Sequence, residues 1–178
     1  MFTIVDVSLN TDRRLYFTRR TPPIGALVHT TDGVNSLAYL QGGVLREGRI
    51  ASANYLIGRN NEIWRLTPHT GAAYHAGVCR WNGKIDTMNR ASHDLVGIEL
   101  ENYDRGTQVP TAFQHAALAA LLLRLAHMYG WSPMCVYGHG GIAEPVGRRT
   151  DPKGLDWGYV FWAMEFNSAN LAIQEIGG

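Results

Sequence analysis

The stretch LVGIELENYDRGTQVPTAFQHAALAALLLRLAHMYGWSPMCVY, residues 95–137, contains a strand, a long helix and a second strand in succession. The apolar runs Leu95–Leu100 and Met134–Tyr137 have the length of buried strands. Between them, an apolar pattern of helical period extends over Ala112–Tyr129. The residues Thr111–Gln114 have the spacing of a capping box, and a glycine directly follows the pattern as a helix stop. This alternation of strand and helix indicates an α/β fold.

Shorter elements are predicted on either side of this unit. They are a strand at Phe2–Val7, a buried strand at Ile24–Val28, a helix at Ser36–Gln41 capped by Asp32 or Asn35, a hairpin of Asn54–Arg59 and Glu62–Leu66 with a two-residue turn at Asn60-Asn61, and a final helix from about Asp156. The sequence has no internal repeat and no linker. We therefore predict one domain over residues 1–178, with a central mixed β-sheet flanked by helices.

Composition excludes several classes of protein. The 178 residues carry 16 Lys and Arg against 15 Asp and Glu, and a net charge of +1 gives no indication of a nucleic-acid partner. The longest apolar run, Ala116–Leu123, is far shorter than the roughly 20 residues of a membrane-spanning helix. The N-terminus lacks the pattern of a signal peptide. We therefore expect no membrane insertion and a chain synthesised in the cytoplasm without a signal peptide.

The cysteine content is low. Cys79 and Cys135 are the two cysteines, and neither belongs to a CxxC pair. Two free thiols are the favoured interpretation, and a single disulfide is the alternative.

Two predicted strands deliver a histidine at their carboxyl ends. His29 follows the first and His139 follows the second. Ligands bind at this edge of open α/β sheets, and a catalytic zinc site needs three protein ligands and an open position. The acids that follow His139 closely are Glu144 and Asp151. The spacings by themselves do not choose between a metal site and two structural histidines.

A competing motif is weak. Residues 138–143 match a dinucleotide-binding fingerprint, because Gly138, Gly140 and Ala143 follow a strand. Pro145 and Gly147 then occur where the helix of that motif should continue. We interpret the match as chance.

Five blocks, in the right order, resemble the zinc-dependent type-2 N-acetylmuramoyl-L-alanine amidases. This family includes amidase-type phage lysozymes, cytoplasmic recycling amidases and peptidoglycan-recognition proteins. The blocks are Val28–Thr31, Ser52–Ile57, Tyr74–Gly77, Val96–Leu100, and Gly138-His139 followed by Arg149–Pro152. The resemblance covers about residues 24–165.

The resemblance implies a Zn²⁺ ion held by His29, His139 and Asp151. Such an ion would polarise the lactyl carbonyl of N-acetylmuramic acid and activate the water that releases the L-alanine amine. Glu99 corresponds to the family's general base and proton shuttle. Arg149, where many members have Lys, is expected to stabilise the developing oxyanion.

Other family blocks line the substrate groove. By resemblance, Asn54, His75, Trp81 and Asn102 are expected to bind substrate, with His75 contacting the stem peptide. Core packing is an equal alternative for Trp81. The loop Gly140–Gly147 is longer than in the recycling enzymes, which leaves its shape open.

The resemblance implies an enzyme whose partner is peptidoglycan or a muropeptide, and we expect a monomer. We favour a phage or prophage endolysin that reaches the wall after holin-mediated release. The alternatives are a cytoplasmic amidase that recycles anhydro-muropeptides, a non-catalytic peptidoglycan-binding module, and an α/β hydrolase with another substrate. Binding modules of this family lose the third metal ligand, whereas Asp151 is present here.

Overall fold

A seven-stranded mixed sheet forms the centre of the computed structural model, which describes residues 1–33, 35–103, 108–166 and 172–176. With strands numbered along the chain, the spatial order is β10 (Val136–Gly138), β3 (Gly25–Thr30), β9 (Leu95–Leu100), β4 (Tyr55–Ile57), β5 (Ile63–Arg65), β1 (Phe2–Asp6) and β11 (Ile173–Ile176). Neighbouring strands are parallel except for the β4–β5 pair. The predicted α/β fold with a mixed sheet is confirmed.

Two ribbons, five α-helices and three short 3-10 helices lie outside the sheet in the described ranges. The ribbons pair β2 (Tyr16–Thr18) with β6 (Gly71–Ala73) and β7 (Cys79–Trp81) with β8 (Lys84–Asp86). The α-helices are α1 (Ser36–Gln41), α2 (Arg90–Asp94), α3 (Ala112–Tyr129), α4 (His139–Ile142) and α5 (Trp157–Phe166). None of the helices in the described ranges combines the length and the apolar character needed to cross a bilayer.

The long helix α3 forms as its local sequence predicts. The Thr111 hydroxyl accepts from the Gln114 backbone N–H at 3.2 Å, and the Gln114 side-chain oxygen accepts from the Thr111 N–H at 3.0 Å. Gly130 ends the helix with a φ of 72°, a conformation that glycine adopts without strain. The Gln114 amide also donates to carbonyls of Ile57 and Glu101, which fastens the start of α3 to the sheet.

The side chains of β3 alternate between the two faces of the sheet. Ala26 and Val28 pack into the main core, which includes α3 and α5, whereas Leu27 belongs to a second core on the opposite face. Because side chains alternate along a strand, His29 points to the same face as Leu27.

Strand β9 has the same alternation. Val96 and Ile98 face the main core and Leu95 faces the second one. Gly97 and Glu99 therefore lie on the face with His29. Short elements, among them β7 and α2, pack on this second face, and a pocket lined by His29 and Glu99 opens on it.

Two local predictions are wrong. Asn35 precedes α1 with a φ of 58°, and no side chain caps the helix. The β4–β5 connection is not a two-residue turn, since the Gly58 N–H donates to the Glu62 carbonyl at 2.8 Å and three residues lie between them. Of the asparagine pair, Asn61 has the positive φ, 68°.

Other elements differ in extent or were not predicted. Strand β10 starts at Val136, two residues later than predicted, and Met134 is exposed. Strand β11 was missed; it pairs with β1, and its Glu175 binds Arg65 and Arg124. Both cysteines are free thiols, in agreement with the favoured interpretation.

Candidate metal centre and active site

Three adjacent parallel strands bring Glu99 and the two predicted histidine ligands to one edge of the sheet. His29 in β3 lies directly beside Glu99 in β9. On the other side of β3, Gly138 pairs with Val28 at the end of β10, and His139 is the next residue. Because the three strands are parallel, their carboxyl ends lie at the same edge of the sheet. His29 and His139 therefore meet although they are 110 positions apart in sequence. Both histidines are buried.

The third predicted ligand arrives on a loop. The Oδ2 atom of Asp151 lies 3.1 Å from the Nδ1 atom of His139 and 3.5 Å from that of His29. The two Nδ1 atoms are 3.0 Å apart. Glu144, the other acid of this loop, instead forms an ion pair with Arg80 at 2.8 Å. The structure therefore gathers His29, His139 and Asp151 around one point.

Hydrogen bonds on the far side of each ring assign the tautomers. The Nε2 atom of His139 lies 3.2 Å from the Ala76 carbonyl, which can only accept, so Nε2 carries the hydrogen. The Nε2 atom of His75 likewise donates to the Leu95 carbonyl at 3.3 Å, which leaves a lone pair on its Nδ1. His29 donates through Nε2 to that lone pair at 3.2 Å. Both His29 and His139 thus aim an unprotonated Nδ1 at Asp151.

This arrangement fits a metal ion. Two lone pairs and a carboxylate are three acceptors facing one another, and a cation at their centre would satisfy all three. Ligand atoms of a tetrahedral zinc site lie roughly 3.3 Å apart, close to the three separations in this cluster. Burial lowers the pKa of His29 to about 4, which keeps its ring in the neutral form that binds metals.

The two carboxyl groups of the site have opposite pKa shifts. Burial would raise the pKa of Asp151, but the imidazole rings of His139 and His29 beside its carboxylate outweigh burial and lower the pKa below its usual range. For Glu99, burial raises the pKa to about 8, helped by the charge of Asp151 and opposed by Arg149. Within the described part of the chain, the buried Oε2 atom of Glu99 has no hydrogen-bond partner. A buried carboxyl with a raised pKa therefore lies beside the candidate metal ligands.

A pocket of about 390 Å³ opens over these residues. Its floor contains His29, Glu99 and His139, with Asp151 and the exposed Arg149 at one side. A smaller pocket of about 170 Å³ also borders Arg149 and Asp151. All five residues predicted for catalysis and metal binding line the larger pocket.

The predicted substrate-binding residues are distributed differently. His75 lines the pocket, whereas Asn54, Trp81 and Asn102 lie outside its lining. The Asn54 amide is buried and makes three internal hydrogen bonds. The Trp81 indole donates to Asp94 at 2.8 Å, and Asn102 bonds to neighbouring backbone. For these three residues the observed contacts are those of packing and loop support.

Three further polar side chains of the pocket lining were not predicted from the sequence. Tyr39 donates to Glu47 at 2.8 Å, and Arg49 donates to the Tyr39 hydroxyl at 3.2 Å. All three side chains line the pocket. The available signal was the charged run at 46–49, directly before the Ser52–Ile57 block.

Residues 19–154 match the family model described as N-acetylmuramoyl-L-alanine amidase. A curated relative, the 1,6-anhydro-N-acetylmuramyl-L-alanine amidase AmpD of Citrobacter freundii, is 35% identical over 137 residues, which cover 76% of this chain and 67% of the relative. AmpD of Escherichia coli K12 is 36% identical over 107 residues, 60% of this chain and 54% of that protein. The chain thus matches between about half and two thirds of the length of these relatives.

Solved structures have the same fold. A selenomethionine derivative of AmpD superposes with a TM-score of 0.71 at 27% identity, covering 89% of this chain and 92% of its own. Escherichia coli AmiD, in complex with anhydro-N-acetylmuramic acid-L-Ala-D-gamma-Glu-L-Lys, has a TM-score of 0.62 at 29% identity, covering 86% and 59%. A mutant endolysin from Bacillus subtilis has a TM-score of 0.64 at 18% identity, covering 92% and 99%, and is similar in fold alone.

Proposed function

The chain belongs to the N-acetylmuramoyl-L-alanine amidase family, and from this premise we propose that it hydrolyses the amide bond between N-acetylmuramic acid and L-alanine in a muropeptide. The observation that carries the proposal is the convergence of His29, His139 and Asp151 beside Glu99 in one pocket. A non-catalytic binding module would have no need for a buried carboxyl with a raised pKa next to a complete set of ligands.

In this proposal His29, His139 and Asp151 hold Zn²⁺. Zinc in such a site supplies Lewis acidity, which polarises a carbonyl and lowers the pKa of water. Glu99 acts as the general base and then the general acid. Its pKa of about 8 lies near neutrality, so its Oε2 atom can take a proton from the attacking water and return it to the leaving L-alanine amine.

Arg149 stabilises charge at the mouth of the pocket. Negative charge develops on the lactyl carbonyl oxygen as water attacks, and a nearby guanidinium lowers the energy of that state. Arg149 is exposed, and its charge acts on both His29 and Glu99. In this role Arg149 binds charge and does not transfer a proton.

The substrate class is the small anhydro-muropeptide. The sequence favoured an endolysin acting on intact wall, but the curated relatives are AmpD proteins and fit the recycling alternative better. The AmiD relative is bound to an anhydro-muropeptide, the same chemical class. The likeness to endolysins extends to the fold alone, which gives no support to holin-mediated release.

A paired digestion tests the proposal. Purified sacculi and anhydro-N-acetylmuramyl tripeptide are incubated separately with the zinc-loaded protein, and products are identified by mass spectrometry. We expect the soluble substrate to yield free peptide with a new L-alanine amino terminus, and the sacculi to react far more slowly.

A His139→Ala variant is the control for contaminating amidases. Faster release of peptide from sacculi than from the soluble substrate would instead establish the endolysin. New reducing sugar ends would identify a glycosidase and contradict the proposal.

A further inference from the structure

The block Tyr74–Gly77 has no part in the proposed chemistry beyond the expected contact of His75 with substrate. It follows β6, its His75 lines the pocket, and its Ala76 packs in the second core with Leu27. Both histidine ligands of the candidate metal site have their outer ring nitrogens bonded to this segment.

His75 forms a hydrogen bond with the outer ring nitrogen of His29. The Nδ1 atom of His75 accepts from the Nε2 atom of His29 at 3.2 Å, and the two rings meet edge to face with centroids 5.3 Å apart. The other nitrogen of His75 donates to the Leu95 carbonyl. This chain of bonds holds the Nδ1 atom of His29 unprotonated and aimed at the candidate metal position.

Ala76, the next residue, forms the corresponding hydrogen bond with His139. The Ala76 carbonyl accepts from the Nε2 atom of His139 at 3.2 Å. Two consecutive residues, one through its side chain and one through its backbone, therefore set the tautomers of both ligands.

The segment itself is held in place by buried groups. The Ser92 hydroxyl accepts from the backbone N–H groups of His75 and Ala76, at 3.2 and 3.0 Å. Gly97 leaves room for the His75 ring, since a Cβ atom there would lie 2.5 Å from it. Ser92 thus holds the backbone of His75, and Gly97 leaves the space that its imidazole occupies.

We infer that the Tyr74–Gly77 segment orients the metal site, with His75 as the positioning residue for His29. A histidine that donates through its outer nitrogen has its ring orientation and tautomer fixed, and loss of such a partner typically lowers metal affinity 10- to 100-fold. This inference rests on the metal site proposed above.

Two substitutions separate positioning from packing. His75→Leu has a similar size but no acceptor, whereas His75→Asn keeps an oxygen near the position of Nδ1. We expect the zinc dissociation constant, measured by competition with a chromogenic chelator, to rise about 10- to 100-fold in His75→Leu. In His75→Asn it should remain within about threefold of wild type. His127→Leu, at an exposed histidine of α3, is the matched control and should leave it unchanged.

A second readout uses the zinc-free protein. Nitrogen-15 NMR of the imidazoles should show His29, His75 and His139 protonated at Nε2 in the wild type. In His75→Leu, His29 should lose this single tautomer while His139 keeps it. Thermal unfolding of the same samples reports whether each variant is folded.

The outcomes are distinct. Unchanged zinc affinity in a folded His75→Leu variant, with only a raised KM for muropeptide, would overturn the inference and identify His75 as a substrate contact. Equal losses in the Leu and Asn variants would also overturn it, because packing would then be responsible. Absence of zinc binding by the wild type would overturn the proposed function as well, and the wild-type tautomers would show whether the ring network exists without it.

Discussion

The floor and the side of the pocket are built in different ways. The floor residues His29, Glu99 and His139 lie at the ends of strands, where parallel pairing fixes them relative to one another. The side residues Arg149 and Asp151 lie on the loop between α4 and α5, and Arg149 is exposed. Strand pairing therefore fixes the geometry of the floor, whereas the side depends on a few loop contacts.

Those loop contacts can be identified. The Gly140 N–H donates to the Asp151 carbonyl at 2.8 Å. Arg148 donates to the carbonyls of Glu144 and Val78 at 2.6 and 2.7 Å, which ties the loop to the segment before β7. Strand pairing thus prearranges two of the candidate ligands, whereas a loop supplies the third.

The largest effect is expected from the floor. His139→Ala should abolish both zinc binding and amidase activity, because a catalytic zinc site needs all three ligands. Zinc content by atomic absorption and hydrolysis of anhydro-muropeptide measure the two losses. His127→Ala is the control at an exposed histidine and should retain both. Full zinc content in His139→Ala would show that the ligand assignment is wrong.

Glu99→Gln should separate chemistry from metal binding on the same floor. We expect bound zinc and an unchanged fold, with kcat reduced about 10²- to 10⁴-fold, because the amide cannot accept a proton. Glu165→Gln, at an exposed position on α5, is the matched control. A kcat near that of wild type, with zinc present, would remove Glu99 as the proton carrier.

Arg149 tests the side of the pocket. Arg149→Ala should keep zinc and lose on the order of 10²- to 10³-fold in kcat, the effect of one oxyanion-stabilising group. Arg149→Lys should recover much of the loss, since charge matters more than the shape of the guanidinium at an exposed site. Arg90→Ala serves as a control for loss of an exposed charge. If the Lys variant is as slow as the Ala variant, the role of Arg149 depends on its geometry.

The smallest effect is expected at the loop anchor. Arg148→Ala removes the two hydrogen bonds to Glu144 and Val78 but no group that faces the pocket floor. We expect the free energy of unfolding in urea to fall by about 1 kcal/mol and kcat to change little. A loss of kcat as large as that of Arg149→Ala would show that the loop needs this anchor to hold Asp151 in place.

Local signals made parts of the fold predictable. Helix α3 has its capping box, apolar period and terminal glycine within 20 consecutive residues, and the structure reproduces its bounds. Strand β9 was predicted with the same bounds because its apolar run is continuous. By contrast, β11 is placed by pairing with β1 and by Glu175 between two arginines distant in sequence. No local pattern encodes those contacts.

The sequence by itself determined the fold class and, through its resemblance to the amidases, named His29, His139 and Asp151 as candidate ligands. Strand ends and family blocks are local features, so they can be read along the chain. Only the tertiary structure decided which ring nitrogens face the metal position, because the tautomers depend on His75 and Ala76, brought there by a different segment. It also placed Tyr39, Glu47 and Arg49 in the lining of the same pocket. Ring orientation and pocket shape arise from contacts between segments remote in sequence, which the order of residues does not express.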